Sequence, residues 1–513
     1  MSPARKRVIA RLSAAFILGA LTTLAFAPFH IFPVGFIGFG GLLILMNRCE
    51  RGGSAFWTGW FFGWGHFIAG LYWIASAFLV EPEKFAWMIP FPVLGLPALL
   101  AVFPAIAVLA AWRMAPVGPR RLLALAAAWT LMEMARGTVL TGFPWNLIGY
   151  AFGFHVYAMQ PAAWVGIYGL SFLAVLLFAL PALPVTHRSD RRTPAAVLGL
   201  IAIVFGATAL RVAPNVADGG QFTVRIIQPN IAQRDKWRRD LLQDHFAANL
   251  QLSEGARDKA RPDVVVWPET TATFLLANSP AELRALGDVA ARLGQDGQGG
   301  VLITGAPRAE QGPDRAAFFN SAIAVDGSGA IVDTADKHHL VPFGEYLPLR
   351  GLLQMTGLEK LAVGRGDFSP GPANETLELP GLPDAAVLIC YEAIFPSLAR
   401  REMRPGWLLN LTNDGWFGNL TGPDQHFSIS RFRAVEQGLP LVRAAGTGIS
   451  AVIGPYGRIV ERLPLGQRGA IQAQVPAPVP VTIFSQTGSV PLGAGLLLLM
   501  VAIGWVNRRK RPS

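Results

Sequence analysis

Asp384-Ala385-Ala386-Val387-Leu388-Ile389-Cys390-Tyr391-Glu392-Ala393-Ile394-Phe395 centres on an apolar run too short for a usual helix, with Gly381 and Pro383 just upstream. A short apolar run between such punctuating residues reads as a strand buried on both faces of a sheet. Cys390 falls where the strand should end, and a turn with a helix start is expected at Pro396 and Ser397. The thiol would then stand at the carboxyl end of a strand beside backbone N–H groups. A lone cysteine in such a strand is commonly just a small hydrophobe. For it to be a nucleophile, the rest of the chain must supply a base, an electrophile and a substrate.

The chain has 513 residues, 52% of them hydrophobic and only 15% charged, with a mean hydropathy of +0.39. That is too apolar for an ordinary soluble protein and implies several membrane spans. The apolar excess falls before about residue 210 and after about residue 488, and the middle has the mixed charge of a globular domain. The expected organisation is an N-terminal membrane domain over residues 1–212, a soluble domain over 220–480, a transmembrane helix over 488–507 and a basic tail over 508–513. The net charge of +11 sits in short loops and tails beside apolar spans, which argues for topology signals and against nucleic acid as a partner. Cys49 and Cys390 lie in different blocks, so no disulfide framework is implied.

About eight transmembrane helices are expected, over residues 12–29, 31–46, 56–79, 88–111, 122–134, 162–183, 194–210 and 490–506. Arg5-Lys6-Arg7 and Ala25-Phe26-Ala27 resemble a secretory signal, but further apolar segments follow at once, so the first span is expected to remain uncleaved. Arg48 and Arg51, Arg113, Arg120 and Arg121, Arg188, Arg191 and Arg192, and Arg508, Arg509, Lys510 and Arg511 fall on alternate loops together with Arg5-Lys6-Arg7. By the positive-inside rule both termini are cytoplasmic and the soluble domain lies across the membrane, in a bacterium the periplasm. The loop 138–160, with Gly142-Phe143-Pro144-Trp145-Asn146, reads as an interfacial aromatic belt or as a lining for substrate. His66 and Glu133, in or at the ends of spans, are functional suspects or helix-end partners.

From Gln221 short β-branched runs alternate with helical stretches: strands over 222–227, 264–267, 301–304, 321–325, 331–334, 385–390 and 408–411, and helices over 242–259, 280–293 and 425–437. This alternation argues for a layered α/β domain with its site on loops at strand ends. Glu269 follows one strand, in Trp267-Pro268-Glu269; Lys337 follows another, in Asp336-Lys337-His338-His339; Cys390 ends the third. A thiol needs a base, and its tetrahedral intermediate needs a cation or N–H donor for the oxyanion. Glu, Lys and Cys supply these functions without histidine. The His338-His339 pair lacks a further ligand at metal-site spacing, so neither a metal nor a cofactor is expected.

Trp267-Pro268-Glu269, Asp336-Lys337 with Pro342-Phe343-Gly344-Glu345, and Cys390-Tyr391-Glu392, in that order, resemble the Glu-Lys-Cys triad of the nitrilase superfamily. With seven spans before and one after, the whole chain resembles the bacterial apolipoprotein N-acyltransferases. The resemblance implies an α-β-β-α sandwich joined to a multispanning α-helical membrane domain. It implies Glu269 as general base, Lys337 as oxyanion stabiliser with the N–H after Cys390, Cys390 as nucleophile, and Glu345 and Glu392 as supporting acids. Trp237, on an arm near a lipid entrance, and Tyr391, Trp416, Phe417 and Trp145 are expected to contact substrate. The segment 346–361 reads as a membrane-dipping lid or a core-packing stripe.

The implied reaction is ping-pong acyl transfer at the bacterial inner membrane. Cys390 takes the sn-1 acyl chain of a phospholipid, with phosphatidylethanolamine the expected donor, as a thioester. The α-amine of an N-terminal S-diacylglyceryl cysteine on an apolipoprotein then accepts it, the last step of lipoprotein maturation. Two other readings remain open: a membrane-anchored amidase of nitrilase type, and a catalytically dead transporter or lipid scaffold.

Overall fold

The computed structural model describes residues 2–186, 192–212, 220–254, 261–294, 299–312, 316–348 and 367–509. Arg188, Arg191, Lys510 and Arg511, the last residues of the expected 242–259 helix, and 349–361 of the expected lid lie outside the described residues. The chain folds as two compact units. One comprises Met1–Ala75, Lys84–Val212 and Thr482–Ser513; the other Ser76–Glu83 and Ala213–Val481.

The first unit is helical: α1 (Pro3–Thr22), α2 (Val34–Asn47), α3 (Gly52–Leu71), α4 (Val102–Met114), α5 (Pro119–Arg136), α6 (Ala162–Ala179), α7 (Arg192–Ala209) and a last helix, Val490–Arg509. Among the described residues five segments are long and apolar enough to cross a membrane: Pro3–Ala25, Pro82–Met114, Ala162–Val185, Arg192–Ala209 and Val490–Asn507. The second expected span is a shorter apolar helix. The fifth lies within α5, which carries Arg120, Arg121, Glu133 and Arg136. Two expected spans differ in shape. The third ends at Leu71 and turns at Tyr72–Ile74. The fourth is interrupted by a π turn at Phe91–Gly95, where Pro92 and then Pro97 withhold backbone donors.

Small residues set the approach of α1 to α3. A Cβ on Gly19 would lie 1.9 Å from the Phe62 carbonyl oxygen, and one on Gly65 would lie 2.1 Å from that of Phe16. Without a hydrophobic drive between helices in lipid, this backbone-to-backbone packing is the main source of their adhesion. His66 and Glu133 are used within this unit: His66 Nε2 lies 3.2 Å from the Asn146 carbonyl, and Glu133 accepts from Ile148 N at 2.9 Å and Trp129 Nε1 at 3.1 Å. They hold the 138–160 loop.

The second unit is built on two six-stranded sheets. The first contains β1 (Gly220–Gln228), β2 (Val264–Val266), β3 (Val301–Gln311), β4 (Ala316–Val325), β5 (Ile331–Asp336) and, in the second half of the chain, β12. The other holds β6 (Thr376–Leu377), β7 (Ala385–Ile389), β8 (Trp407–Thr412), β9 (Leu441–Ala445), β10 (Ser450–Ile453) and β11 (Ile459–Leu463); β12 is Gly469–Pro476. Their orders are β12-β1-β2-β3-β4-β5 and β11-β10-β9-β8-β7-β6.

The period of two along each strand divides the core. Val224, Ile226, Val264, Val266 and Ile303 of one sheet meet Val387, Ile389, Leu409, Leu411 and Val442 of the other. The opposite faces take helices. Val265, Leu302 and Ile323 pack with Phe246, Leu286 and Val289 of Leu242–Glu254 and Pro280–Ala290. Ala386, Leu408 and Leu441 pack with Phe427 and Ala434 of Thr421–Gln437. The result is the expected α-β-β-α sandwich.

Strand β7 ends at Ile389, one residue short of its expected end, and no α-helix follows. Cys390–Ile394 and Pro396–Ala399 are 3-10 turns instead. The cause is Cys390, whose φ of +53° breaks the extended run.

Gly19→Val should separate α1 from α3, an overpacking cost of about 1–3 kcal/mol. Thermal unfolding in detergent should show a lowered melting temperature for the helical unit; an unchanged one would contradict the packing account.

Candidate active site

Glu269 lies just beyond β2 in the turn Pro268-Glu269-Thr270, where Thr270 takes a φ of +45°. The turn sits directly on β3, so a Cβ at Gly305 would come within 2.5 Å of the Glu269 Cα, and only glycine fits there. Lys337 follows β5 and Cys390 follows β7. Glu269 and Lys337 therefore come from one sheet and Cys390 from the other, all at strand ends.

Lys337 is 1% exposed. Its Nζ donates to Glu345 Oε1 at 3.0 Å and lies 3.5 Å from Glu269 Oε1. Asn320 Nδ2 bridges the same two carboxylates, at 2.8 Å from Glu269 and 2.9 Å from Glu345. Glu345 is steadied by Val341 N, which donates to its Oε2 at 2.8 Å. Burial alone would lower the Lys337 ammonium, but Glu345, Glu269, Cys390 and Glu392 together hold it above the usual lysine range. It is a fixed positive charge.

Glu392 does a different job. Its Oε2 accepts from Ile389 N at 2.6 Å, and its Oε1 from His338 N at 2.8 Å and His339 N at 3.0 Å. One buried carboxylate thus fastens the backbone before Cys390 to the backbone after Lys337. Burial raises its pKa while these N–H groups oppose the rise. The left-handed backbone of Cys390 costs on the order of 1–3 kcal/mol in a non-glycine residue, and such strain persists only where the surroundings over-determine it.

The thiol is pushed up to about 12, first by burial and then by the Glu269 charge, with Lys337 and the Thr412 hydroxyl opposing. Unaided, the thiol stays protonated at neutral pH. The site therefore favours proton transfer to a neighbouring base during attack over a standing thiolate. Behind Thr412 lies a buried polar group. Thr412 Oγ1 donates to Asp414 Oδ1 at 2.9 Å, Arg443 Nη2 to Asp414 Oδ2 at 2.6 Å, and His426 Nδ1 lies 2.9 Å from Asp414 Oδ1. Despite burial, Arg443 and His426 hold Asp414 well below the usual carboxylate range.

Of the residues expected to contact substrate, Tyr391 is buried beside Cys390, its ring 5.2 Å from Phe395 and 5.8 Å from His339. Trp237, Trp416 and Phe417 are half-buried. Trp145 belongs to the helical unit, 1% exposed, with its ring 4.7 Å from Trp73 and its carbonyl accepting from Arg136 at 2.7 Å. His338 Nδ1 lies 2.9 Å from the Gly371 carbonyl. Sequence reasoning passed over Asn320, Arg443 and His426. Asn320 stands immediately before the expected 321–325 strand, inside the longer β4, where a polar residue next to a buried run was the available signal.

A family model described as the apolipoprotein N-acyltransferase N-terminal domain matches residues 18–180, and a carbon-nitrogen hydrolase model matches residues 223–479. The apolipoprotein N-acyltransferase of Rhodopseudomonas palustris is 41% identical over 97% of this chain and 95% of its own. That of Bradyrhizobium diazoefficiens is 42% identical over 96% and 94%, and that of Brucella suis 43% identical over 91% and 90%. With its apolar helices the chain is a multi-pass membrane protein. Matched end to end in this way, it belongs to the apolipoprotein N-acyltransferase family, with a nitrilase-superfamily domain as its α/β unit.

Proposed function

We propose that this chain moves the sn-1 acyl chain of a membrane phospholipid, phosphatidylethanolamine in the first instance, to the α-amine of the N-terminal S-diacylglyceryl cysteine of an apolipoprotein. The observation that carries this reading is the gathering of a carboxylate, a buried ammonium and a strained cysteine at three strand ends. The family membership supports the same reaction.

In the first half-reaction the Cys390 thiol gives its proton to the Glu269 carboxylate as Sγ attacks the ester carbonyl. The oxyanion is met by the Lys337 ammonium and the Tyr391 N–H. Collapse breaks the carbonyl–glycerol oxygen bond. The leaving oxygen takes the proton from Glu269, giving lysophospholipid and a Cys390 thioester. In the second half-reaction the amine attacks the thioester carbonyl, Glu269 takes an amine proton, and Sγ leaves and recovers a proton as the amide forms. Glu345 and Asn320 orient Lys337 and Glu269; Glu392 holds the Cys390 turn. Trp237, Tyr391, Trp416, Phe417 and Trp145 serve lipid contacts.

The same reading takes residues 1–212 as a seven-helix membrane domain, 220–480 as the periplasmic catalytic domain, 488–507 as the closing span and 508–513 as a cytoplasmic tail. The alternate basic loops support cytoplasmic termini and an inner-membrane location.

Purified protein given phosphatidylethanolamine with different sn-1 and sn-2 chains, plus a diacylated lipopeptide, should yield a lipopeptide heavier by the sn-1 chain. Cys390→Ala should yield none. Ammonia release from small amides with no lipid requirement would overturn the assignment in favour of an amidase.

Lys337→Met leaves two buried carboxylates without their cation, a loss of about 3–5 kcal/mol. The folded pKa of Lys337 lies above its ordinary value, so its stabilisation is fully present below the ordinary lysine range and fades only as pH rises beyond it. Melting of the variant should therefore fall well below wild type at both pH 6 and pH 9. Equal melting temperatures would contradict the role of Lys337 as counter-ion.

A further inference from the structure

The α/β unit buries a second lysine against the same turn. Lys236 is 8% exposed, and its Nζ donates to the main-chain carbonyl of Glu269 at 3.0 Å. It belongs to an arm anchored twice on its N-terminal side. Asn230, with a φ of +52°, donates its N–H to the Gly446 carbonyl at 2.9 Å, and Gln233 Oε1 accepts from Asn413 Nδ2 at 2.8 Å. Burial draws the Lys236 ammonium down to about 8, with Glu269 and Cys390 opposing. The charges of Glu269 and Cys390 favour its ammonium form.

One carbonyl could be satisfied by a neutral donor at far lower desolvation cost, so the charge itself needs a reason. Lys337 faces two carboxylates, Glu269 and Glu345. That trio carries one surplus negative charge, which opposes any new anion on Cys390. Lys236 offsets that charge, while Glu392, which also acts on Lys337, is held by three backbone N–H donors of its own. Proton transfer from Cys390 to Glu269 then only moves a negative charge between two atoms within reach of the same cations.

Resting on the reading of Cys390 as nucleophile and Glu269 as base, we propose that Lys236 is a positioning residue: it fixes the 268–270 turn through the Glu269 carbonyl, and its charge balances the site so that the Cys390 proton can pass to Glu269.

The test compares Lys236→Gln, which keeps a donor but no charge, Lys236→Met, which keeps neither, and Lys236→Arg, which keeps both. Alkylation of Cys390 by iodoacetamide, followed on its peptide by mass, reads thiol activation without any lipid. An opposite charge at close range is worth one or more pKa units, so Lys236→Gln should alkylate about tenfold more slowly at pH 7, and Lys236→Arg should lie nearer wild type than Lys236→Gln. A wild-type rate in either folded neutral variant would overturn the proposal, even if that variant melts earlier. Acyl uptake from phosphatidylethanolamine separates the two readings. If wild type acylates but the neutral variants alkylate normally, the Lys236 proposal alone fails; if wild type takes up no acyl chain, the functional reading fails and the proposal with it.

Discussion

A lysine ammonium held where almost no water reaches is the constraint around which the α/β unit is arranged. Stripping Lys337 of solvent costs several kcal/mol, recovered only through close, well-directed anionic partners. Glu345 and Glu269 are those partners, and each is fixed by further bonds: Asn320 to both, Val341 N to Glu345. Two carboxylates cannot share a dry site without the lysine, and the lysine cannot stay there without them. The arrangement is pre-set before any substrate arrives, which is the condition for stabilising a developing oxyanion without reorganisation.

The second constraint is geometric. Cys390 must leave its strand sharply, and it does so at a positive φ that its side chain disfavours. Glu392 makes this tolerable by accepting three backbone N–H groups from both sides of the cleft between strand ends. Thr270 and Phe343, the latter at φ +63°, flank the same machinery with similarly uncommon backbone. Strain at these positions is balanced by bonds made elsewhere in the sandwich.

Much of this was legible in the sequence because the signals are local. Val264-Val265-Val266 and Ala385 to Ile389 are continuous apolar runs that must be buried on two sides, so the residues just after them had to sit at strand ends. The order of the Glu, Lys and Cys motifs carried the family. The unread parts are non-local. β12 pairs with β1 across the whole domain, Gly220 opposite Pro476, and β11 is an edge strand whose Val460, Glu461 and Arg462 are exposed, so neither shows the pattern of a buried strand. β9 and β10 are fully buried but short, and Gly446-Thr447-Gly448 between them masked the pair. The turn at Cys390 depends on a carboxylate two residues later, and the bonds of Asn320 and Lys236 exist only once distant segments meet. In the membrane block prolines and charged residues blurred where spans end.

The central claim is that Cys390 carries the acyl group between two lipids. Its most direct test is to incubate the wild-type protein with phosphatidylethanolamine of defined sn-1 chain, omit the acceptor, and map the adduct by peptide mass with and without hydroxylamine. The account predicts a hydroxylamine-labile mass equal to the sn-1 acyl group on the peptide bearing Cys390, discharged when a diacylated lipopeptide is added. An acyl group on any other residue, or lipopeptide acylation with Cys390 never modified, would contradict it.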